Sequence, residues 1–406
     1  MKQIGKHKIH YAWLVMVACC FMCFGTGGIL YNSIGIFMPA VCADMGFTTA
    51  QFSMYLNARQ IVMVALLPVA GALIPKIHPR YLLTSASLFG IGSMILLATT
   101  NGLMQLYAAG AACGIAAAFL IMTMTPIILK KWFKKKYGMA IGIATAFTGI
   151  GGMIMNPTGA YLIEVFGWRT TALVFASISA LCTLPFTLFV LKKGPEEIGV
   201  LPYGQEEGSE ATISATVEEV SGSWDKGLFV LILINAMLIA IPQAFNSHCS
   251  QFGVSIGKTA IEAAAMSSAF MIGNTTGKLA LGALVEKLGT LKTLMLGVGA
   301  VILGFAIMTL SNSYFLLLAG ALLGGISMSL TTIAVPLLVG DFFSAKHYDM
   351  ILSYATMSSM FITGIAMSAF GIAYDAMNTY RPSILAMVAV YALLAICLII
   401  SYRKKK

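Results

Sequence analysis

Acidic side chains are scarce in this sequence and are missing from the middle of its apolar stretches. The chain has 15 Asp and Glu among 406 residues, and charged residues of both signs make up only 10% of it. Hydrophobic residues make up 59%, a share well above that of soluble globular proteins. The composition therefore excludes an ordinary soluble domain and indicates a membrane protein.

Motifs for metal binding, disulfide formation and catalysis are also missing. The eight cysteines have no ligand-like spacing and lie in or beside apolar segments, where cysteine behaves as a small hydrophobic residue. The sequence contains no H-E-x-x-H, no G-x-S-x-G and no paired aspartates inside an apolar stretch. We therefore expect no enzyme, no metal and no cofactor.

The apolar stretches predict twelve transmembrane helices, because a helix needs about 20 apolar residues to cross a bilayer. A single such stretch is compatible with a signal peptide, but twelve are not. The sequence thus predicts an all-α integral membrane protein. The predicted spans are residues 12–41, 51–74, 81–99, 103–129, 138–163, 169–191, 227–252, 262–285, 291–310, 314–339, 349–373 and 382–402.

One long polar segment divides the predicted spans into two sets of six. Residues 192–226 contain eight of the fifteen acids together with Gly and Ser, a composition typical of a mobile linker. We predict an N-terminal half at residues 1–191, a cytoplasmic linker at 192–226 and a C-terminal half at 227–406.

Basic residues concentrate on one side of the predicted bundle. With both termini in the cytoplasm, every basic residue lies in a terminus or an even-numbered loop except Arg59, Arg169, Lys258, Lys278 and Arg381. Short cytoplasmic loops accumulate Lys and Arg in this way. The bias predicts a multi-pass protein of the cell (inner) membrane with both termini cytoplasmic. It also accounts for the net charge of +10 without a nucleic-acid partner.

Two basic residues lie inside predicted spans with no acid at the same depth. Arg59 and Lys278 are each roughly 12 Å from the nearer end of their spans, at about 1.5 Å per residue. A charge near the bilayer centre is costly, so such a residue usually faces a cavity and has a partner. We expect that partner to be an anion that enters from water. The alternative is that either residue snorkels or bonds to helix carbonyl groups.

Other polar residues within the spans are weaker candidates for the wall of the same cavity. Polar side chains in membrane helices more often bridge neighbouring helices. These candidates are Tyr31, Asn32, Gln243, Asn246, His248 and Tyr354. Glycine runs at residues 149–152 and 324–325 predict places where helices pack closely.

The loop after the eighth span resembles a motif of the major facilitator superfamily. Gly282-Ala-Leu-Val-Glu286-Lys287-Leu-Gly289 is similar to that superfamily's G-x-x-x-D-[RK]-x-G loop, with Glu in place of Asp. The counterpart after the second span has Pro75 at the acidic position. The resemblance implies two pseudo-symmetric six-helix halves that work as a monomer. It also implies a conformational-switch loop formed by Gly282, Glu286, Lys287 and Gly289.

Further segments resemble the oxalate/formate antiporter and monocarboxylate porter branch of that superfamily. They are K-W-F-K-K-K-Y-G-M-A-I-G at 131–142, F-G-W-R at 166–169 and F-F-S-A-K-H-Y at 342–348. Porters of this branch bind the substrate carboxylate through a basic residue on the eighth helix, and Lys278 occupies that position. Oxalate porters carry another Lys on the eleventh helix, which residues 349–373 lack.

The resemblance and the buried cations together favour a secondary transporter of a small organic anion, a mono- or dicarboxylate, that works by alternating access in the lipid bilayer. The lack of an acid within the spans favours exchange over proton symport through a buried Asp or Glu. Two alternatives stay open. One is an efflux carrier for a drug or other lipophilic compound, and the other is a transport-dead membrane sensor with the same fold.

Overall fold

The computed structural model describes residues 10–73, 77–204, 226–343 and 345–405. Over these residues the chain folds into helices joined by short turns, and the only pairing of extended backbone is one isolated bridge between Phe133 and Tyr203. The predicted all-α fold is confirmed.

The helices are numbered here in chain order. Helices α1 to α6 are Tyr11–Met45, Thr49–Leu73, Pro79–Ala98, Leu103–Trp132, residues 137–166 and residues 168–190. Helices α7 to α12 are Lys226–Ser255, Ala260–Leu288, Thr290–Leu310, Tyr314–Phe342, Ala345–Met377 and Arg381–Lys405. Gly167 separates α5 from α6 with φ 77° and ψ 161°, a conformation that favours glycine.

Nine candidate stretches in the described part of the chain are long and apolar enough to cross a membrane. One of them, Met139–Val190, covers both α5 and α6, while α2 and α8 lie outside the nine. Each predicted span falls on one helix of the series α1 to α12. The observed helices extend a few residues beyond the predicted ends, because a helix can continue past its apolar segment into the interface.

Two groups of helices, α1–α6 and α7–α12, meet along three pairs. Helix α1 packs against α7, α2 against α11 and α5 against α8. These pairs position the residues discussed below. The limits of the halves at 1–191 and 227–406 stay a prediction.

Contacts between α2 and α11 close the face of the bundle that lies away from the chain ends, here called the opposite face. Asp375 of α11 accepts hydrogen bonds from the backbone N–H groups of Thr49 (3.0 Å) and Ala50 (2.7 Å) at the start of α2. A carboxylate satisfies free N–H groups there and interacts favourably with the positive end of the helix dipole. One level deeper, Asn57 donates to Ser368 at 2.5 Å. A C-terminal side chain thus caps an N-terminal helix.

The F-G-W-R segment joins three helix ends at the opposite face. Trp168 donates from Nε1 to the Asp44 carboxylate at the end of α1 (3.0 Å). Arg169 donates from Nη1 to the carbonyl groups of Ala98 (3.0 Å) and Thr100 (2.9 Å) at the end of α3, and its guanidinium lies 4.3 Å from the Trp168 ring centroid. The motif that resembles the monocarboxylate porter branch is therefore a structural clamp in this fold.

We expect Arg169→Met to lower the thermal stability of the purified protein. Two carbonyl groups at the end of α3 lose a charged donor, and hydrogen bonds to charged groups contribute roughly 1.5–3 kcal/mol. Thermal unfolding in detergent should show a clear fall in Tm. The matched control is Arg381→Met, because Arg381 is exposed and its guanidinium donates to the Asn312 side chain. An equal Tm for the two variants would contradict the clamp.

The first part of the predicted linker folds against α1 and α4 at the face that carries the chain ends, here called the terminal face. The backbone N–H of Tyr203 donates to the Trp132 carbonyl group at 2.8 Å, and the Tyr203 ring packs edge-on against Trp13. The prediction of a mobile linker is therefore wrong for residues 192–204, because aromatic contacts and backbone hydrogen bonds fix them. Residues 205–225 lie outside the described part of the chain.

One acid of this segment is tied down by its neighbours. The Glu197 carboxylate accepts from the Lys193 N–H at 2.6 Å, and it lies 3.3 Å from His78 Nε2 and 3.8 Å from Lys192 Nζ. The Lys193 amide, followed by His78 and Lys192, holds the pKa of the Glu197 carboxyl below its ordinary value. These groups are partly exposed, so the cluster positions the segment more than it stabilises the fold.

Candidate functional site

A cavity of about 320 Å³ lies between the two groups of helices. Helices α1, α2, α4 and α5 form one side of its wall, and α7, α8, α10 and α11 form the other. Arg59 and Lys278 both line it, whereas none of the described residues in its wall is an Asp or Glu. The charge imbalance that the sequence indicated is thus located in one cavity.

Lys278 projects from α8 into this cavity. No hydrogen bond or ion pair joins its ammonium to any other described residue. The polar neighbours on α8 are engaged elsewhere. The Asn274 carbonyl accepts from Ser329 Oγ (2.6 Å), and the hydroxyl groups of Thr275 and Thr276 donate to carbonyl groups of their own helix. The ammonium therefore has its three donors available for a ligand.

Close packing of α8 against α10 fixes the position of Lys278. Gly325 of α10 lies against the Phe270 carbonyl group, and Gly273 of α8 lies against that of Leu322, with no space for a Cβ at either glycine. Gly149 of α5 lies equally close to α8 on its other side. The close packing predicted from the glycine runs is confirmed.

Arg59 is fully buried, and its guanidinium is only partly satisfied. Nη1 donates to the Tyr31 carbonyl group at 2.8 Å, and Cζ lies 3.8 Å from the centroid of the Tyr31 ring. Nε and Nη2 are buried without a hydrogen-bond partner among the described residues. Together they form the side-on edge of the guanidinium, which can hold a carboxylate through two parallel hydrogen bonds. Arg59 thus combines the two predicted roles: it bonds a helix carbonyl and keeps one edge for an anion.

Tyr31 and Asn32 reach the cavity from a π-helical stretch of α1, Cys23–Asn32. Within it, Gly28 lies so close to α5 that a Cβ would overlap Gly151. Asn32 donates from Nδ2 to the Thr148 carbonyl group at 3.0 Å. Long π-helical stretches are rare and occur mostly at functional sites. Both residues therefore lie in the cavity wall, as the sequence predicted.

His248 lies outside the cavity, so its predicted place in the wall is wrong. Its ring is fully buried near the opposite face, with Nε2 2.8 Å from the Met367 carbonyl oxygen and Nδ1 3.0 Å from the Tyr380 hydroxyl group. Because a carbonyl oxygen can only accept, this arrangement fits an imidazole that donates from Nε2 and accepts at Nδ1. Both ring nitrogens serve helix packing.

The placement of Tyr354 in the wall is also wrong. Its side chain is 52% exposed on α11, and its ring lies 6.1 Å from that of Phe229. Thr356, two residues further along α11, lines the cavity instead. Two residues correspond to about 200° of rotation on an α-helix, which puts these side chains on nearly opposite faces.

Sequence reasoning missed most of the hydroxyl groups in the wall and also the amide of Gln60. Gln243 and Asn246 were predicted and do line the cavity. Gln60 follows Arg59 directly, a position that was the available signal. The hydroxyl-bearing residues in the wall are Thr148, Ser247, Thr331, Thr332, Thr356, Ser359 and Thr363.

The predicted switch loop is mostly helical. Gly282, Glu286 and Lys287 lie in the last turns of α8, and Gly289 alone separates α8 from α9 with φ 77°. This positive φ favours glycine, and the Gly289 N–H closes the helix by donating to the Val285 carbonyl group at 3.0 Å. The Glu286 side chain and Pro75 lie outside what the structure describes. A role in conformational switching stays a prediction.

The fold and the cavity define a polytopic helical membrane protein with a cation-lined site between two helical groups. The family model of the Major Facilitator Superfamily matches residues 14–264 and 227–406. The chain therefore belongs to the Major Facilitator Superfamily. It is a transporter and not an enzyme, as the sequence predicted.

Curated relatives include several transporters. The chain is 29% identical over 166 residues to the riboflavin transporter RibZ of Clostridioides difficile, covering 40% of this chain and 35% of RibZ. It is 25% identical over 169 residues to monocarboxylate transporter 2 of Homo sapiens, covering 41% and 35%. The chain thus spans about a third of the length of these two relatives. A longer match, 23% identical over 347 residues, is to the uncharacterized MFS-type transporter YhjX of Escherichia coli, covering 84% and 83%.

Solved transporter structures share the fold along nearly the whole chain. A bacterial homologue of the human lysosomal transporter Spinster, in an inward-facing and unoccupied conformation, superposes with a TM-score of 0.73 at 15% identity and 98% coverage of both chains. The nucleoside transporter NupG superposes with a TM-score of 0.71 at 15% identity, covering 96% of this chain and 99% of NupG. These similarities establish the fold.

Proposed function

We propose that this protein is a secondary transporter that exchanges small organic anions of the mono- or dicarboxylate class. The observation that carries the proposal is the central cavity, in which Arg59 and Lys278 face no acid among the described residues of the wall. Two buried cations without a protein counter-charge are costly in a membrane. An anion from water supplies that counter-charge.

The arrangement of α2 and α11 supports a state closed at the opposite face. Helix α2 runs from the opposite face to the terminal face, and α11 runs in the reverse direction. Met63 and Thr356 line the cavity, and both lie further towards the terminal face than the contacts of Asn57 with Ser368. With both termini in the cytoplasm of the cell (inner) membrane, the cavity is then reached from inside.

Anion binding links the two helical groups. Arg59 belongs to the first group and Lys278 to the second, so a carboxylate between them neutralises both. A ligand shifts a conformational equilibrium only through contacts that differ between the states. The neutralised cavity can close and re-open on the other side, whereas the empty cavity keeps two desolvated cations. This difference favours exchange over net movement of the empty carrier.

Efflux of a lipophilic compound is the second candidate. The match to a riboflavin transporter favours a larger substrate. The cavity argues against it, because about 320 Å³ is at the lower end of the range for small-molecule sites. The two cations also disfavour cationic drugs. No described segment forms a separate folded domain of the kind a membrane sensor would use.

Counterflow in proteoliposomes tests the proposal. Vesicles loaded with one unlabelled carboxylate are diluted into the same labelled compound, using formate, acetate, lactate, oxalate, malonate and succinate in turn. We expect transient accumulation with one or a few of them and none with choline, a cationic control. Folded protein that accumulates no carboxylate would contradict the proposal and favour the efflux candidate.

A further inference from the structure

Tyr31 connects the buried arginine to the contact between the two helical groups. Its ring covers the Arg59 guanidinium at 3.8 Å, and its hydroxyl group donates to Gln60 Oε1 at 2.9 Å. The same Gln60 amide donates from Nε2 to the Met360 carbonyl group of α11 at 3.2 Å. A chain of three contacts therefore leads from Arg59 across the interface between the groups.

The geometry leaves the Gln60 side chain little freedom. Its carbonyl oxygen accepts from Tyr31, so its NH₂ group points at α11. Gly364 of α11 lies directly against this side chain, because a Cβ there would be 3.2 Å from Gln60 Cγ. Without the Tyr31 hydroxyl group, the buried amide oxygen loses its partner and the amide loses its fixed orientation. The hydrogen bond to Met360 is then weakened.

The Tyr31 ring also controls access to Arg59. Nε and Nη2 are buried and have no partner among the described residues, although the cavity wall includes Arg59. An anion can reach this edge only after the Tyr31 ring has moved aside. The movement takes the hydroxyl group away from Gln60.

We propose that Tyr31 and Gln60 form a relay that couples anion binding at Arg59 to release of α2 from α11 at the opposite face. The relay rests on the proposed function for its ligand. Displacement of Tyr31 loosens the Gln60–Met360 hydrogen bond, so the occupied carrier opens towards the opposite face more readily than the empty one. Tyr31 and Gln60 are thus positioning residues that act through the α2–α11 contact.

A double-mutant cycle without any anion tests the relay. Spin labels at Asn101→Cys and Ser313→Cys, both exposed loop positions at the opposite face, report its opening in membranes. The partly buried Cys42, Cys182 and Cys397 are replaced by Ser in this background. We expect Tyr31→Phe, which keeps the ring over Arg59, to raise the ratio of open to closed distances about threefold, a typical effect of one hydrogen bond between membrane helices. We expect Gln60→Met to have a similar effect.

The decisive result is the combination of the two changes. If Tyr31 acts through Gln60, then Tyr31→Phe has no further effect in the Gln60→Met background. The matched control is Ser368→Ala, which removes the nearby hydrogen bond from Asn57 without involving Tyr31. Its effect should multiply with that of Tyr31→Phe. If Gln60→Met does not fold, Gln60→Asn replaces it, because the shorter amide cannot reach both partners.

Two results would overturn the relay. One is no change on Tyr31→Phe alone, and the other is the same fold-change for Tyr31→Phe in the native and Gln60→Met backgrounds. Because no anion is present, neither result depends on which compound is transported. Negative counterflow with a positive cycle would refute the carboxylate proposal alone, and the reverse combination would refute the relay alone.

Discussion

Lys278→Ala is expected to reduce carboxylate counterflow at least about 100-fold, to near the level of protein-free liposomes. Truncating one partner of a buried, hydrogen-bonded charge pair costs roughly 2–5 kcal/mol, and about 1.4 kcal/mol corresponds to a factor of ten. Lys278→Arg keeps the charge and should retain part of the activity. Initial rates with the compound identified by counterflow provide the measurement.

Lys287→Ala is the matched control for the loss at Lys278. Lys287 lies on the same helix but is exposed, and it is not part of the cavity wall. Its removal should leave counterflow close to that of the native protein. Full activity of Lys278→Ala would remove the central claim. A similar loss in both variants would indicate an effect of net charge on the terminal face instead of a substrate contact.

Gly325→Ala is expected to have the largest effect on folding. The added methyl group would overlap the Phe270 carbonyl group and also come within 3.0 Å of the Asn274 N–H nitrogen. Overpacking typically costs 1–3 kcal/mol, and here the obstacle is backbone, so we expect a loss of about 3 kcal/mol. The separation of α8 from α10 also moves Lys278. Yield of monodisperse protein, Tm and counterflow should all fall.

Gly299→Ala controls for the loss of a helical glycine. Gly299 is on α9, and a Cβ at this position would meet no atom within 4 Å. Because alanine favours helix over glycine by about 1 kcal/mol, the Tm of this variant should be unchanged or higher. A normal Tm for Gly325→Ala, or a fall of equal size for Gly299→Ala, would show that the α8–α10 contact is looser than described.

The sequence was sufficient for the helices and for the two cations, because both depend on local composition. Long apolar stretches predict spans regardless of their partners. Arg59 and Lys278 stand out because a charge inside such a stretch is rare. The contacts of Asp375 with α2 and of Gln60 with α11 were not predictable in this way. Their partners lie hundreds of residues away in the chain, and no local pattern connects them.

The errors at the site have a common cause in helix phase. Gln243 and Asn246 are three residues apart on a 3₁₀ stretch, Pro242–His248, and both line the cavity. At about three residues per turn, His248 points elsewhere. On α11, the same uncertainty selected Tyr354 in place of Thr356. The sequence identifies polar residues at the right depth, but a change of helix type or an unknown rotation decides which of them reach the cavity.

The cap that Asp375 places on α2 makes opening of the opposite face a hydration reaction. While that face is closed, the N–H groups of Thr49 and Ala50 and the carboxylate satisfy one another. When the helices separate, water must solvate all three groups. Opening therefore takes up water, and a solute that is excluded from the protein surface, such as sucrose, shifts this transporter towards its closed outer face.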